Sequence, residues 1–291
     1  MCEDCEKKTY ICTTMKQNKL FLPALLVIVA ILAYSQLRSA SQDNAAKANP
    51  TETTATPASQ TCDTITSVLP LEGKPEQILK RSSYTVSYNS STLIPNYVTW
   101  TLHAGDDNGP AERPSNNAWH EDKELTLPRP TNADYAKSGW DRGHMCPAGD
   151  RKYSQDALYE TFMFANACPQ NHRLNSSDWN EIELACRRWA NKFGALRIVS
   201  GPILFKKKHA TIGANKVVVP EAFFKVVLCL GDSPKGIGFV CRNEAEGNHT
   251  KDYYVHSIAD VERITGYTFF PYLPSDIKDN VKGRANIEDW E

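Results

Sequence analysis

The 291 residues carry 33 Lys and Arg against 34 Asp and Glu, a formal net charge of −1, with 41% hydrophobic and 23% charged residues. The length excludes a disulfide-held mini-scaffold, and the composition is globular rather than disordered, enough for one large domain or two small ones. The balanced charge argues against a histone-like coat for nucleic acid, although a chain average conceals local asymmetry.

Residues 1–19 contain Lys7, Lys8, Lys16 and Lys19 and precede an uncharged stretch, 20–37, whose centre at 24–33 is wholly apolar. A bilayer is crossed by roughly 20 apolar residues and a signal core needs about 7–15, so 20–37 is expected to be a signal peptide or a membrane anchor, with 1–19 cytoplasmic. Residues 38–61 are rich in Thr, Ala and Pro and read as a linker to an exported domain at 62–291. The expected location is periplasmic, secreted or membrane-anchored outside the cytosol. Disulfides are permitted there among Cys62, Cys146, Cys168, Cys186, Cys229 and Cys241, with the pairing left open.

Within the domain, runs rich in Val, Ile and aromatic residues predict strands at 84–88, 97–102, 197–204, 223–230 and 236–241. Gly231-Asp232-Ser233-Pro234-Lys235 joins the last two as a hairpin. Helices are expected at 154–161, 176–193 and 258–265. Strands dominate and helices are inserted among them, so the fold class is α+β. In the second helix Trp179, Ile182, Cys186, Trp189 and Phe193 recur at spacings of three and four, giving one apolar stripe. Ser176 or Ser177 is expected to cap its start. Glu183 and Arg187 lie one turn apart on its flank and, on the helix alone, read as a surface ion pair.

Chemistry concentrates in two segments. Asp141-Arg142-Gly143-His144 packs an acid, a guanidinium, a glycine and an imidazole into four residues. Glycine permits close backbone approach, and arginine offers a planar fork suited to phosphate. The second segment runs from Asn166 through Pro169-Gln170 to Asn175, with Glu183 and Arg187 beyond it. A neutral amide oxygen such as that of Asn175 can hold a hard cation that keeps most of its waters.

These two segments, in this order and spacing, resemble the DNA/RNA non-specific endonucleases, the family of secreted bacterial nucleases and mitochondrial endonuclease G. Gly201-Pro202, Val218-Val219-Pro220 ahead of Phe223-Phe224-Lys225, and Gly266 with Phe269-Phe270-Pro271 extend the match over roughly residues 78–275. The resemblance implies a ββα-metal (His-Me finger) fold with a central antiparallel sheet and flanking helices. His144 would lie on a strand and Asn175 would open the crossing helix. It implies a Mg2+-dependent enzyme, with Mn2+ as a substitute, that hydrolyses phosphodiester bonds of DNA and RNA without sequence preference. In that scheme His144 is the general base, Asn175 the direct metal ligand, and Glu183 acts on the metal through water. Arg142 and Arg187 contact the phosphate, and Asn166 positions His144 or the substrate. Arg113, followed by Asp122, matches an upstream family arginine. Cys146 and Cys168 stand where small residues are common in the family, and a bridge between them is one option. Asn175 also begins a glycosylation sequon, which a metal ligand could not use. Related nucleases often form homodimers.

The basic residues Arg187, Arg188, Lys192, Arg197, Lys206, Lys207 and Lys208 follow one another without an acid between them. Starting as they do on the expected metal-binding helix, they read as a surface that tracks a phosphate backbone, with Arg188 joining Arg113, Arg142 and Arg187 in substrate binding. The alternatives to a nuclease are a catalytically silent nucleic-acid-binding module of the same fold and a small-molecule phosphodiesterase.

Overall fold

The computed structural model describes residues 67–115, 118–245 and 249–291. The expected cytoplasmic segment 1–19, signal or anchor 20–37, linker 38–61 and Cys62 lie outside the described residues. Among the described residues no helix is long and apolar enough to cross a membrane.

Thirteen strands are described, several of them only two residues long. They are β1 (Val68–Leu69), β2 (Gln77–Lys80), β3 (Thr85–Asn89), β4 (Ile94–His103), β5 (Asp141–His144), β6 (Ala167–Gln170), β7 (Ala195–Ile203), β8 (Thr211–Ile212), β9 (Val217–Val218), β10 (Ala222–Cys229), β11 (Lys235–Arg242), β12 (Val255–His256) and β13 (Thr268–Phe269). The helices are α1 (Asn132–Tyr135), α2 (Gln155–Glu160), α3 (His172–Ser176), α4 (Asp178–Phe193), α5 (Ile258–Thr265) and α6 (Ser275–Gly283). All five strands and all three helices expected from the sequence are present, within a few residues at their ends. The strand expected at His144 is β5; β2, α1, α3, α6 and the two-residue strands were not among the elements read from the residue pattern, and most are too short for a period to show.

Seven strands make one sheet in the spatial order β12–β11–β10–β7–β4–β3–β2, antiparallel throughout. Strand β10, third in that order, is buried along all eight residues, so both faces are covered. Alternation along the strand decides what each face meets. Phe223, Val227 and Cys229 join the core beneath α4, where Trp179, Ile182, Cys186 and Trp189 present the expected apolar stripe. Phe224, Val226 and Leu228 turn to the other face, against Ile258 and Val261 of α5 and Val281 of α6. Burying a large apolar side chain contributes about 1.5–3 kcal/mol, so this two-sided packing is what holds α4 at a fixed height over the sheet. Lys225 shares the α4 side of β10. It is 1% exposed, with its Nζ 5.1 Å from the Trp100 ring centre and 4.6 Å from that of Trp179.

A small antiparallel pair, β5 with β6, stands apart from the large sheet, with Gly143 opposite Cys168 and His144 opposite Ala167. The chain then passes directly into α3 and α4, completing a strand–strand–helix unit.

Candidate active site

The β5–β6 pair is close-packed on its buried side. A Cβ on Gly143 would fall 2.1 Å from Oε1 of Gln170, whose side chain is fully buried, so only glycine fits there. Asn166 secures the exit from β5. It is buried, its amide donates to the carbonyls of Cys146 and Thr161 at 2.9 Å each, and its Oδ1 accepts from Cys146 N–H at 2.9 Å. Its own carbonyl accepts from Met145 N–H at 3.0 Å. Asn166 does not line the cleft described below. It acts on the backbone just past His144 rather than on anything in the cleft.

His144, Arg113, Arg142, Asn175, Glu183 and Arg187 line one cleft of 390 Å³. The imidazole of His144 lies between two aromatic rings, 4.5 Å from Trp119 and 4.9 Å from Phe162 by ring centres. Its Nε2 is buried without a hydrogen-bond partner. Desolvation, aided by the Arg113 charge, pushes its pKa down to about 3, so the ring is neutral at all ordinary pH values. The Arg113 guanidinium sits 5.6 Å over Phe162, and that of Arg142 sits 5.4 Å over Tyr135. Each cation is thereby held by an aromatic face while its fork stays available.

Asn175 belongs to α3, whose start is capped by Asn171 through bonds from the N–H groups of Arg173 and Leu174. The Asn175 Nδ2 donates to Asp141 Oδ2 at 2.9 Å. Because the amide nitrogen is engaged by a carboxylate, the opposite end of the group, Oδ1, is the one left to serve as a ligand. His172 Nδ1 lies 2.9 Å from the same Asp141 oxygen. Burial pushes the Glu183 carboxyl up to about 7, while Lys225, Arg187 and Arg113 pull in the other direction.

The residues fit a single hydrated cation. Among the described residues no group of three His, Cys, Asp or Glu converges on one point, so no carboxylate or thiolate cage is available. What the cleft does offer is one amide oxygen oriented by a carboxylate, and one desolvated carboxylate that a nearby positive charge would ionise. That set suits a hard ion that retains its waters.

Several expectations are corrected. The long helix begins at Asp178, and Asn175 lies one short helix earlier instead of opening it. Ser177 occupies the cap position without capping the backbone, since its hydroxyl donates to Asp178 Oδ1 at 3.0 Å. Arg187 pairs not with Glu183 but with Asp150 at 2.9 Å, a contact between α4 and the turn after β5. Asp150 is 1% exposed and also accepts from Trp100 Nε1 at 3.1 Å. Asp122 is bound by Arg81 and takes no part in the cleft. Arg188 is exposed and is not among the cleft residues, as expected for a side chain about 100° around the helix from Arg187.

The basic run is divided among α4, β7 and the loop before β8. Lys192 donates to the Glu291 carbonyl, Arg197 to Thr101 Oγ1, and Lys206 to Lys208 stand exposed before β8. Cys146, Cys168, Cys186 and Cys229 are free, buried thiols, and Cys241 is buried. A bridge between Cys146 and Cys168 is not formed, because Cys168 sits opposite Gly143 while Cys146 lies two residues past the end of β5. Burial pushes the Cys146 and Cys186 thiols up to about 12, so they are protonated and inert. Asp141, Asp150 and Trp119 were not singled out from the sequence. Asp141 sat inside a conspicuous motif, whereas nothing local marks Asp150 or Trp119.

A strand histidine and a helix asparagine, joined through a β-hairpin-like pair and facing a common arginine-lined cleft, define the ββα-metal fold. A family model described as DNA/RNA non-specific endonuclease matches residues 62–276, and the chain belongs to that family. It is 34% identical over 208 residues to the mitochondrial nuclease EXOG of Xenopus laevis, covering 67% of this chain and 58% of that protein. It is 33% identical over 215 residues to nuclease C1 of Cunninghamella echinulata var. echinulata, covering 69% of this chain and 85% of that protein. A solved structure described as the EndoG/EndoGI complex superposes with a TM-score of 0.66 at 27% identity, covering 71% of this chain and 89% of that one. The chain thus spans little more than half the length of the EXOG relative it matches.

Proposed function

We propose that the protein is a divalent-metal-dependent endonuclease that hydrolyses phosphodiester bonds of DNA and RNA without reading sequence. The observation that carries this reading is the neutral, desolvated His144, its Nε2 unpartnered, in the same cleft as three arginines and an oriented Asn175 amide. A general base must be unprotonated before it acts, and His144 meets that condition at neutral pH. The burial that keeps it neutral also lowers its affinity for a proton, which the negative charge of a bound phosphate would raise again. Arg113, Arg142 and Arg187 hold the phosphate and balance the charge that develops on it. Asn175 would hold the metal through Oδ1, with Asp141 fixing the amide orientation, and Glu183 would act through metal-bound water. The ion, Mg2+ or Mn2+ in its place, supplies positive charge for the transition state when bound. Nothing in the cleft requires contact with base edges, and backbone contacts by themselves carry no sequence information. On this reading the domain works outside the cytosol, with 20–37 as signal or anchor.

The test is nicking of supercoiled plasmid and of single-stranded RNA with Mg2+ present or chelated. Cleavage of both that stops on chelation is the expected result. Binding without cleavage would establish a silent module instead. Faster turnover of bis-p-nitrophenyl phosphate than of DNA would favour a small-molecule phosphodiesterase.

A further inference from the structure

A second cleft, of 780 Å³, shares no lining residue with the catalytic one yet adjoins it through a single side chain. Trp119 lines this second cleft, and its ring packs 4.5 Å from His144. The exposed wall is a pair of parallel rings: Tyr159 of α2 stacks on His120 at 4.5 Å and 11°, and Tyr159 is 47% exposed. Lys123, Arg129 and Glu121, whose carboxylate pairs with Arg129, also line the cleft. The size is within the usual range of small-ligand sites, about 300–1,000 Å³.

The platform is built rigidly. His120 N–H donates to the Phe162 carbonyl, and Phe164 N–H donates to the His120 carbonyl, both at 3.1 Å, so the strip carrying Trp119 and His120 is bonded alongside residues 162–164. His120 Nδ1 donates to the Ala118 carbonyl at 2.7 Å, which fixes the ring plane on which Tyr159 lies. The Asn132 amide donates to the Trp119 carbonyl at 2.8 Å. Arg129 is aimed by Glu121 Oε2 at 2.8 Å and by the Leu125 carbonyl at 3.3 Å. Of these residues only Trp119 and Phe162 also touch His144; Tyr159, His120, Lys123 and Arg129 have no part in the chemistry assigned to His144 and Asn175.

We infer that this cleft is a subsite for an unpaired nucleobase of the strand whose phosphate occupies the catalytic cleft, with Tyr159 as the stacking face and Lys123 and Arg129 meeting the neighbouring phosphate. An exposed aromatic face beside cations suits single-stranded nucleic acid, because every base has a face to stack and every linkage a charge to meet. Adjacency through Trp119 selects a base close to the reacting phosphate. The inference rests on the nuclease reading above.

The test is a cycle between protein and substrate, using the full chain in mild detergent with Asn175→Ala so that strands stay intact. A fluorescent DNA single strand and an abasic strand of the same length are titrated at fixed salt against chains with Tyr159, Tyr159→Ala or Tyr159→Phe. Tyr159→Ala should weaken binding of the base-bearing strand about five- to a hundredfold. The abasic strand should be bound equally by both, and Tyr159→Phe should restore affinity, since stacking needs the ring and not the hydroxyl. Equal losses on both strands, or none, would overturn the subsite. So would sedimentation in which Tyr159→Ala merely dissociates a dimer, which would make the platform an interface between copies. Failure of the unsubstituted chain to cut any nucleic acid would instead remove the nuclease reading itself.

Discussion

Gly149 offers the sharpest probe of how the cleft is assembled. A Cβ at this position would lie 2.7 Å from Nη1 and 3.2 Å from Cζ of Arg187. Ordinary contact begins at 3.4 Å, so in Gly149→Ala the guanidinium must retreat by about 0.7 Å. That displacement is directed against the 2.9 Å bond to Asp150, which anchors Arg187 from the turn after β5. The backbone of Gly149 does not have a positive φ, so alanine is tolerated conformationally and reduces the freedom of the unfolded chain. Stability should therefore change by no more than about 1 kcal/mol in either direction. Catalysis is less forgiving, because misplacing a phosphate-binding group by about 1 Å costs up to ~10²-fold. The expected result is a kcat on DNA lowered about 10- to 100-fold, with Tm within a few degrees of the unsubstituted chain. Arg187→Ala combined with Gly149→Ala should be no worse than Arg187→Ala alone, since both act through one side chain. Gly149→Ala retaining kcat within about threefold would show that the Asp150-anchored position of Arg187 does not matter, and the account of the cleft would be wrong.

Other outcomes follow from the same geometry. His144→Ala should lower the cleavage rate by roughly 10²–10⁴-fold, measured as initial rate on plasmid; near-normal cleavage would remove its role as base. The acidic limb of the activity profile should report Glu183 and not His144, because His144 is neutral down to about 3 whereas Glu183 holds its proton up to about 7. Raising the metal concentration should therefore move that limb to lower pH; a limb indifferent to metal would assign it to another group. The two groups affect stability with opposite signs. Between 6.5 and about 3 the unfolded chain binds the His144 proton and the folded one does not, so this contribution is lost as pH falls. Between 4.5 and about 7 the folded chain holds the Glu183 proton that the unfolded one releases, so that contribution is lost as pH rises. Glu183→Gln should thus gain in Tm relative to the unsubstituted, metal-free chain across that second window, and equal pH slopes for the two would refute it. Because Cys146 and Cys168 beside the site are free thiols, added reductant should leave cleavage unchanged; inactivation by reductant would point to a bridge at one of these two positions.

The amino-acid sequence by itself determined which residue types meet in the site and the scaffold that carries one side of it. The apolar stripe from Trp179 to Trp189 is a local pattern, set by 3.6 residues per turn, and it places Glu183 and Arg187 on one flank of α4 without any knowledge of the rest of the chain. The alternation in β10 likewise settles which of its side chains face α4. What sequence spacing could not settle is who pairs with whom across the fold. Within the helix, Arg187 has Glu183 one turn away, yet it bonds to Asp150, 37 residues earlier. Asn175 looks by position like the opening residue of the long helix, yet it lies on the short helix before it, with its amide oriented by Asp141, 34 residues earlier. The neutrality of His144 is likewise not a property of the Asp-Arg-Gly-His segment, since it comes from the enclosing rings of Trp119 and Phe162 and the charge of Arg113. Periodicity is a short-range property of the backbone and survives in the sequence. Desolvation and ion pairing depend on distances between segments far apart in the chain, and those distances exist only once the two cores have packed.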